Sequence, residues 1–87
     1  MSYEEFQAFV RQEGERRAVQ GGLIPLPELR IHVPLEREVF DQYVLRLHAD
    51  RLVHLLSHVE SDRLPEPVRQ DCIAHGSGAL LYWMRWL

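Results

Sequence analysis

Lysine, asparagine and threonine are missing altogether from these 87 residues, and cysteine occurs once, at Cys72. A lone cysteine forms no internal disulfide, which closes the route by which small secreted proteins are stabilised. Without lysine, all ten basic residues are arginines, and thirteen acids leave the chain at net −3 with a pI near 5.9. The missing trio fits GC-rich coding, because its codons contain adenine, whereas loss of lysine runs against thermophile usage. No part of the chain is dominated by one sign. Residues 1–20 carry three arginines against four acids, residues 21–51 four against five, and residues 52–87 three against four. That excludes a polybasic nucleic-acid tail, so any phosphate-binding surface has to be assembled by folding. The chain does not open on a basic segment followed by an apolar run, so no secretory signal is expected. Its longest apolar stretch, Ala79 to Met84, falls far short of the roughly 20 residues that span a bilayer. The expected compartment is the cytoplasm, with no membrane partner.

What is present suits one globular domain over residues 1–87. The chain is 46% hydrophobic and 26% charged, too apolar for disorder and too short for a second domain. Residues 3–20 place Tyr3, Phe6, Val10 and Ala18 near a 3.6-residue period, with Phe9 beside them. Ser2 is a natural N-cap, Glu4 and Glu5 suit the positive end of the helix dipole, and Gly21-Gly22 stops the helix. Gly14 inside it carries a cost of about 1 kcal/mol. Leu23-Ile24-Pro25-Leu26 is short and proline-bearing, the pattern of an edge strand. Pro27 opens a short helix to His32, which Val33 must end because it precedes Pro34. A third helix then runs from Leu35 to about Ala49, with Val39, Phe40, Val44 and Leu47 facing inward and Leu35 and Tyr43 at the edges.

Asp50 and Arg51 form the exit turn, with Asp50 the residue suited to a left-handed conformation. Leu52–His58 follows as a strand. Residues 59–71 hold two prolines and form a long loop with one helical turn over Pro67–Asp71. Cys72-Ile73-Ala74 reads as a short strand, His75–Gly78 as a turn, and Ala79–Trp86 as a final aromatic-rich strand.

Helix, short strand, helix, helix, strand, long turn, strand is an order that resembles the winged helix-turn-helix superfamily over nearly the whole chain. The residues that carry the likeness are Ile24-Pro25-Leu26-Pro27-Glu28-Leu29-Arg30, then Phe40-Asp41 through Val44 and Leu47. Ala49-Asp50-Arg51-Leu52 and Gly76-Ser77-Gly78 leading into Leu81-Tyr82 complete it. The resemblance implies an α+β fold with three helices and a small antiparallel sheet. It also implies a third helix that enters the major groove of double-stranded DNA. On that footing Arg37, Gln42 and Arg46 are the candidate base readers, with Arg30, Arg63 and Arg69 as phosphate contacts. Glu36, Glu38 and Asp41 share the same outward surface and repel phosphate. Winged helices also serve as protein-interaction modules, so two functions stay open: a DNA-binding, regulator-like protein, or an adaptor that has lost the basic face.

The final strand supplies the second candidate surface. Strict alternation would put Leu80, Tyr82, Met84 and Trp86 on one face and Leu81, Trp83, Arg85 and Leu87 on the other, yet only Arg85 is charged. An apolar face left over marks a partner surface, so Leu81, Trp83, Trp86 and Leu87 are the expected interface of a homodimer or another protein.

The remaining constellations point away from catalysis. His54 and His58 have metal-ligand spacing on a helix, but in a strand they lie about 13 Å apart, so neither a metal nor a cofactor is expected. His75-Gly76-Ser77-Gly78 lacks the leading glycine of a nucleophile elbow and has too few glycines for a phosphate loop. Glu4-Glu5 and Glu36-Glu38 have no apolar pocket to raise a pKa. Cys72 reads as a small buried hydrophobe.

Overall fold

The computed structural model describes residues 1–75 and 79–87, with the backbone alone at His75. Among them are four α-helices and four short strands in one antiparallel sheet, an α+β arrangement. Helix α1 spans Tyr3–Arg17 and starts on a full capping box. The Glu5 amide donates to the Ser2 hydroxyl at 3.1 Å and the Ser2 amide donates to Glu5 Oε1 at 2.9 Å. The Ser2 amide first, and the Ser2 hydroxyl second, hold the Glu5 carboxyl below its ordinary range. The buried stripe of α1 is Tyr3, Phe6, Val10 and Gly14. Gly14 therefore extends the apolar period rather than interrupting it, since a Cβ there would sit 2.7 Å from Ile24 Cδ1.

After a 3₁₀ turn at Gln20–Gly22, strand β1 (Ile24–Pro25) leads directly into α2 (Leu26–His32), and α3 (Arg37–Ala49) follows. Val33 ends α2 in an extended conformation, φ −101° and ψ 121°, as its place before Pro34 requires. Phe40, Val44 and Leu47 carry the buried face of α3. Phe6 is the hinge of the helical core, with Phe40 edge-on at 5.9 Å and Tyr43 at 5.1 Å between ring centres.

The exit from α3 differs from the sequence expectation. Asp50 keeps φ −80°, and the left-handed residue is Arg51, at φ 61°. Arg51 N–H donates to His48 O and Leu52 N–H to Leu47 O, both at 3.0 Å. This is the paired-bond helix stop that glycine normally occupies at the left-handed position. Arg51→Gly is therefore expected to raise stability by about 0.5–1 kcal/mol, read as a higher urea midpoint with unchanged slope.

Strand β2 (Val53–Ser57) comes next, then a 3₁₀ turn (Ser61–Arg63), helix α4 (Glu66–Asp71), and strands β3 (Ile73–His75) and β4 (Ala79–Trp86). The turn expected over His75–Gly78 falls, for residues 76–78, outside the described residues. The helical turn expected over Pro67–Asp71 is α4, which begins one residue earlier and makes a fourth α-helix beside the three of the expected fold. Strand β4 is the centre of the sheet. β2 runs along one edge of it, while β1 and β3 share the other, β1 opposite Trp83 and Met84 and β3 opposite Ala79 to Leu81. No described helix is long and apolar enough to cross a membrane.

Candidate interaction surface

The register of β4 breaks where the side chains matter most. Leu55 faces Met84 and Leu56 faces Trp83, but Ser57 faces Leu81, so Tyr82 is an extra residue bulged out of the β2–β4 ladder. A bulge interrupts the alternation of faces. Below it, Met84 and Trp86 point inward with Val53 and Leu55. Above it, Leu81 is buried against Ile73 rather than sharing the outer face with Trp83. Leu81 is therefore a core residue, which corrects the strict alternation expected from sequence. Tyr82 and Trp83 are left side by side, their rings meeting edge-on with centres 4.6 Å apart.

His58 joins them. Its ring lies 4.9 Å from Tyr82 and stacks nearly parallel to Trp83, 16° between planes, at 6.1 Å. The Glu60 amide donates to His58 Nδ1 at 3.0 Å and fixes the ring. His54 stands apart on β2, exposed and opposite Arg85. Burial, with Glu28 as a lesser cause, raises the Tyr82 phenol above its ordinary value, so it remains an O–H donor.

From Tyr82 and Trp83 a groove of about 430 Å³ runs toward α2 and α4. Pro25, Pro27 and Pro67 make up much of its wall, and Val19 and Ile31 stand at its rim, 49% and 72% exposed. Glu28 and Asp71 are the charged groups that line it, and no arginine does. A second hollow, of about 320 Å³, lies between α1 and Trp86. Arg11 stacks 4.1 Å over the Trp86 ring, and the indole N–H is sealed from solvent with no acceptor among the described residues. Of the four apolar residues expected to form an interface, then, Trp83 lines the groove, Trp86 is half-buried beneath Arg11, Leu81 is core and Leu87 is 64% exposed.

The six residues expected to meet DNA are placed in different ways. Arg30 is nearly buried, its side chain 10% exposed. Its Nε donates to Asp71 O at 3.2 Å, it pairs with the Asp41 carboxylate, and it lies 4.6 Å over the Phe40 ring. Arg37 donates to Gln70 O at 2.6 Å and pairs with Asp71 Oδ1 at 2.7 Å. Together these two arginines and two aspartates fasten α4 to α2 and to the N-terminus of α3. Arg46 stacks 3.9 Å over Tyr3, whose hydroxyl donates to Asp50, and Arg69 pairs with Glu66 at 3.6 Å. Gln42 and Arg63 are exposed, and Arg63 has no ion pair among the described residues. Cys72 is 6% exposed, and burial raises its thiol pKa, with Asp71 adding to the effect.

Sequence reasoning missed Glu28, Ile31 and Tyr82 as a group, because only tertiary folding brings α2 alongside β4. The one local signal was the unbroken run of apolar residues in β4, which no strictly alternating strand needs. No family model, curated protein or solved structure matches this chain.

Proposed function

We propose that this chain is a small non-enzymatic interaction module of the winged-helix type, an adaptor that docks a partner protein through the groove beside Tyr82 and Trp83. The winged-helix reading draws support from the element order and from the consecutive helices α2 and α3, which pack against the antiparallel sheet at β4 and β2. The observation that carries the adaptor reading is the commitment of Arg30 and Arg37. The two arginines nearest the start of α3 are tied to Asp41 and Asp71, whereas the aromatic groove is open. An open hollow lined by aromatic and proline side chains with a few charged groups among them suits a protein-docking site, where aromatic anchors carry most of the binding energy.

Two measurements test it. A pool of mixed-sequence duplexes is expected not to be retained even at 50 mM salt. Retention that falls steeply toward 200 mM, by the roughly thousandfold of several phosphate contacts, and that disappears in Arg63→Ala, overturns the adaptor reading in favour of a DNA binder. In parallel, a photo-cross-linking residue at Ile31 is expected to trap a protein that one at Glu4, outside the groove, does not. The trapped protein, identified and purified, must bind the intact chain and lose that binding with Ile31→Ser. Binding that is indifferent to Ile31→Ser counts against the groove.

A further inference from the structure

The groove is selective in what it leaves out as well as in what lines it. Resting on the interaction-module reading, we infer that it accepts an extended, polyproline-like segment carrying a cationic side chain, with Tyr82 and Trp83 under the apolar residues and Glu28 facing the cation.

Three observations converge on that occupant. The first is the state of the backbone. β1 and β3 already pair with β4 on the groove side, opposite Trp83–Met84 and Ala79–Leu81. What remains on that side are the outer edges of β1, two residues of which one is a proline, and of β3, three residues, which is little for a partner to extend as an added strand. Recognition falls to side chains, which suits a polyproline-type segment: it needs no partner for its backbone and enters already extended. The second is the wall itself. Three prolines, a tyrosine and a tryptophan line the hollow, and such groups lose little rotamer freedom when covered, the property that makes aromatic grooves good hosts for proline-rich segments.

The third is charge. The chain has ten arginines, yet the lining contains none and includes two carboxylates. Asp71 is held by Arg37 at 2.7 Å, while Glu28 is exposed and has no ion pair among the described residues. An incoming arginine or lysine meets the free Glu28 carboxylate beside an apolar wall, and an acidic segment meets that same charge as a like one. The volume, about 430 Å³, lies within the usual span of small binding sites.

The test uses the intact chain and fluorescein-labelled ten-residue peptides built on a Pro-Leu-Pro-Arg repeat, with matched peptides carrying Glu or Gln in place of Arg. Anisotropy at 50 mM salt is expected to rank Arg above Gln above Glu, and added salt is expected to narrow the gap. Glu28→Gln is expected to weaken the Arg peptide by about fivefold, the upper range for an exposed ion pair, and to leave the Gln peptide unchanged. Ile31→Ser, at a rim position whose exposure makes misfolding no concern, is expected to weaken all of them. Equal binding of the three peptides, no binding of any, or an unchanged ranking in Glu28→Gln overturns the inference. A doubling of mass with concentration that Ile31→Ser abolishes would assign the groove to a second copy and also overturn it. The two readings fail separately. A partner trapped from position 31 that docks through a neutral or acidic segment discards the cation and keeps the module. Salt-sensitive DNA retention with no trapped partner discards the module itself.

Discussion

Arg30→Ala is expected to cost the domain about 2–3 kcal/mol. Removing one member of a fully buried ion pair costs about 3–5 kcal/mol, and the partial exposure of Asp41, 31% at its side chain, lowers that through solvent screening. The loss is distributed over several contacts. The guanidinium reaches the carbonyls of Asp71 and Arg37, the Asp41 carboxylate and the face of Phe40, so alanine removes a charge, three hydrogen-bond donations and a ring cover together. In a domain of this size about 2–3 kcal/mol corresponds to a fall in Tm of roughly 10–20 °C. Arg30→Lys is expected to recover only part, because an ammonium keeps the charge without the planar fork. Urea unfolding gives the global cost, and hydrogen exchange in α4 shows whether that helix undocks first. A cost below about 0.5 kcal/mol, within the range of ordinary surface substitutions, would mean that Arg30 is a surface ligand and not a tie between helices.

Phe6→Ala is expected to cost more, about 3–5 kcal/mol. The ring is completely buried and holds both Phe40 and Tyr43 against α1. Domains in this class have about 5–15 kcal/mol in total, so the variant stands near the edge of folding at 37 °C. Phe6→Leu keeps most of the volume and is expected to lose much less, about 1–2 kcal/mol. Thermal unfolding followed by near-ultraviolet circular dichroism separates the two. A near-native melt for Phe6→Ala would show that α1 is dispensable to the core.

Local chemistry made much of this fold legible. Prolines at 25, 27 and 34 bound the short strand and α2, Ser2 and Glu5 mark the start of α1, and β4 runs from Ala79 to Trp86 as its composition suggests. What escaped were the features decided at long range. Gly14 looked like a flaw in a helix until β1 was seen to pass against it. The left-handed residue fell one place after Asp50, at Arg51, because the bonds back to Leu47 and His48 fix which residue must turn. The bulge at Tyr82 depends on β2 and β3 meeting β4 from opposite sides, which neither segment announces. The candidate site suffered most. Arg30, Arg37, Asp41 and Asp71 are spread over some forty residues of sequence, and only their convergence shows that the arginines answer nearby acids.

The central position of β4 has a consequence for how the chain is made. Each of β1, β2 and β3 finds its sheet partner only in a segment that emerges from the ribosome after all of them. The helices can form as they are synthesised, but no interstrand pairing of the sheet can begin until residues 79–86 are free. Contacts of such long sequence separation are slow to close. Over that interval Leu23–Leu26 and Leu52–His58 are apolar segments with unpaired backbone, the kind of exposed chain that chaperones bind and that aggregates when they do not.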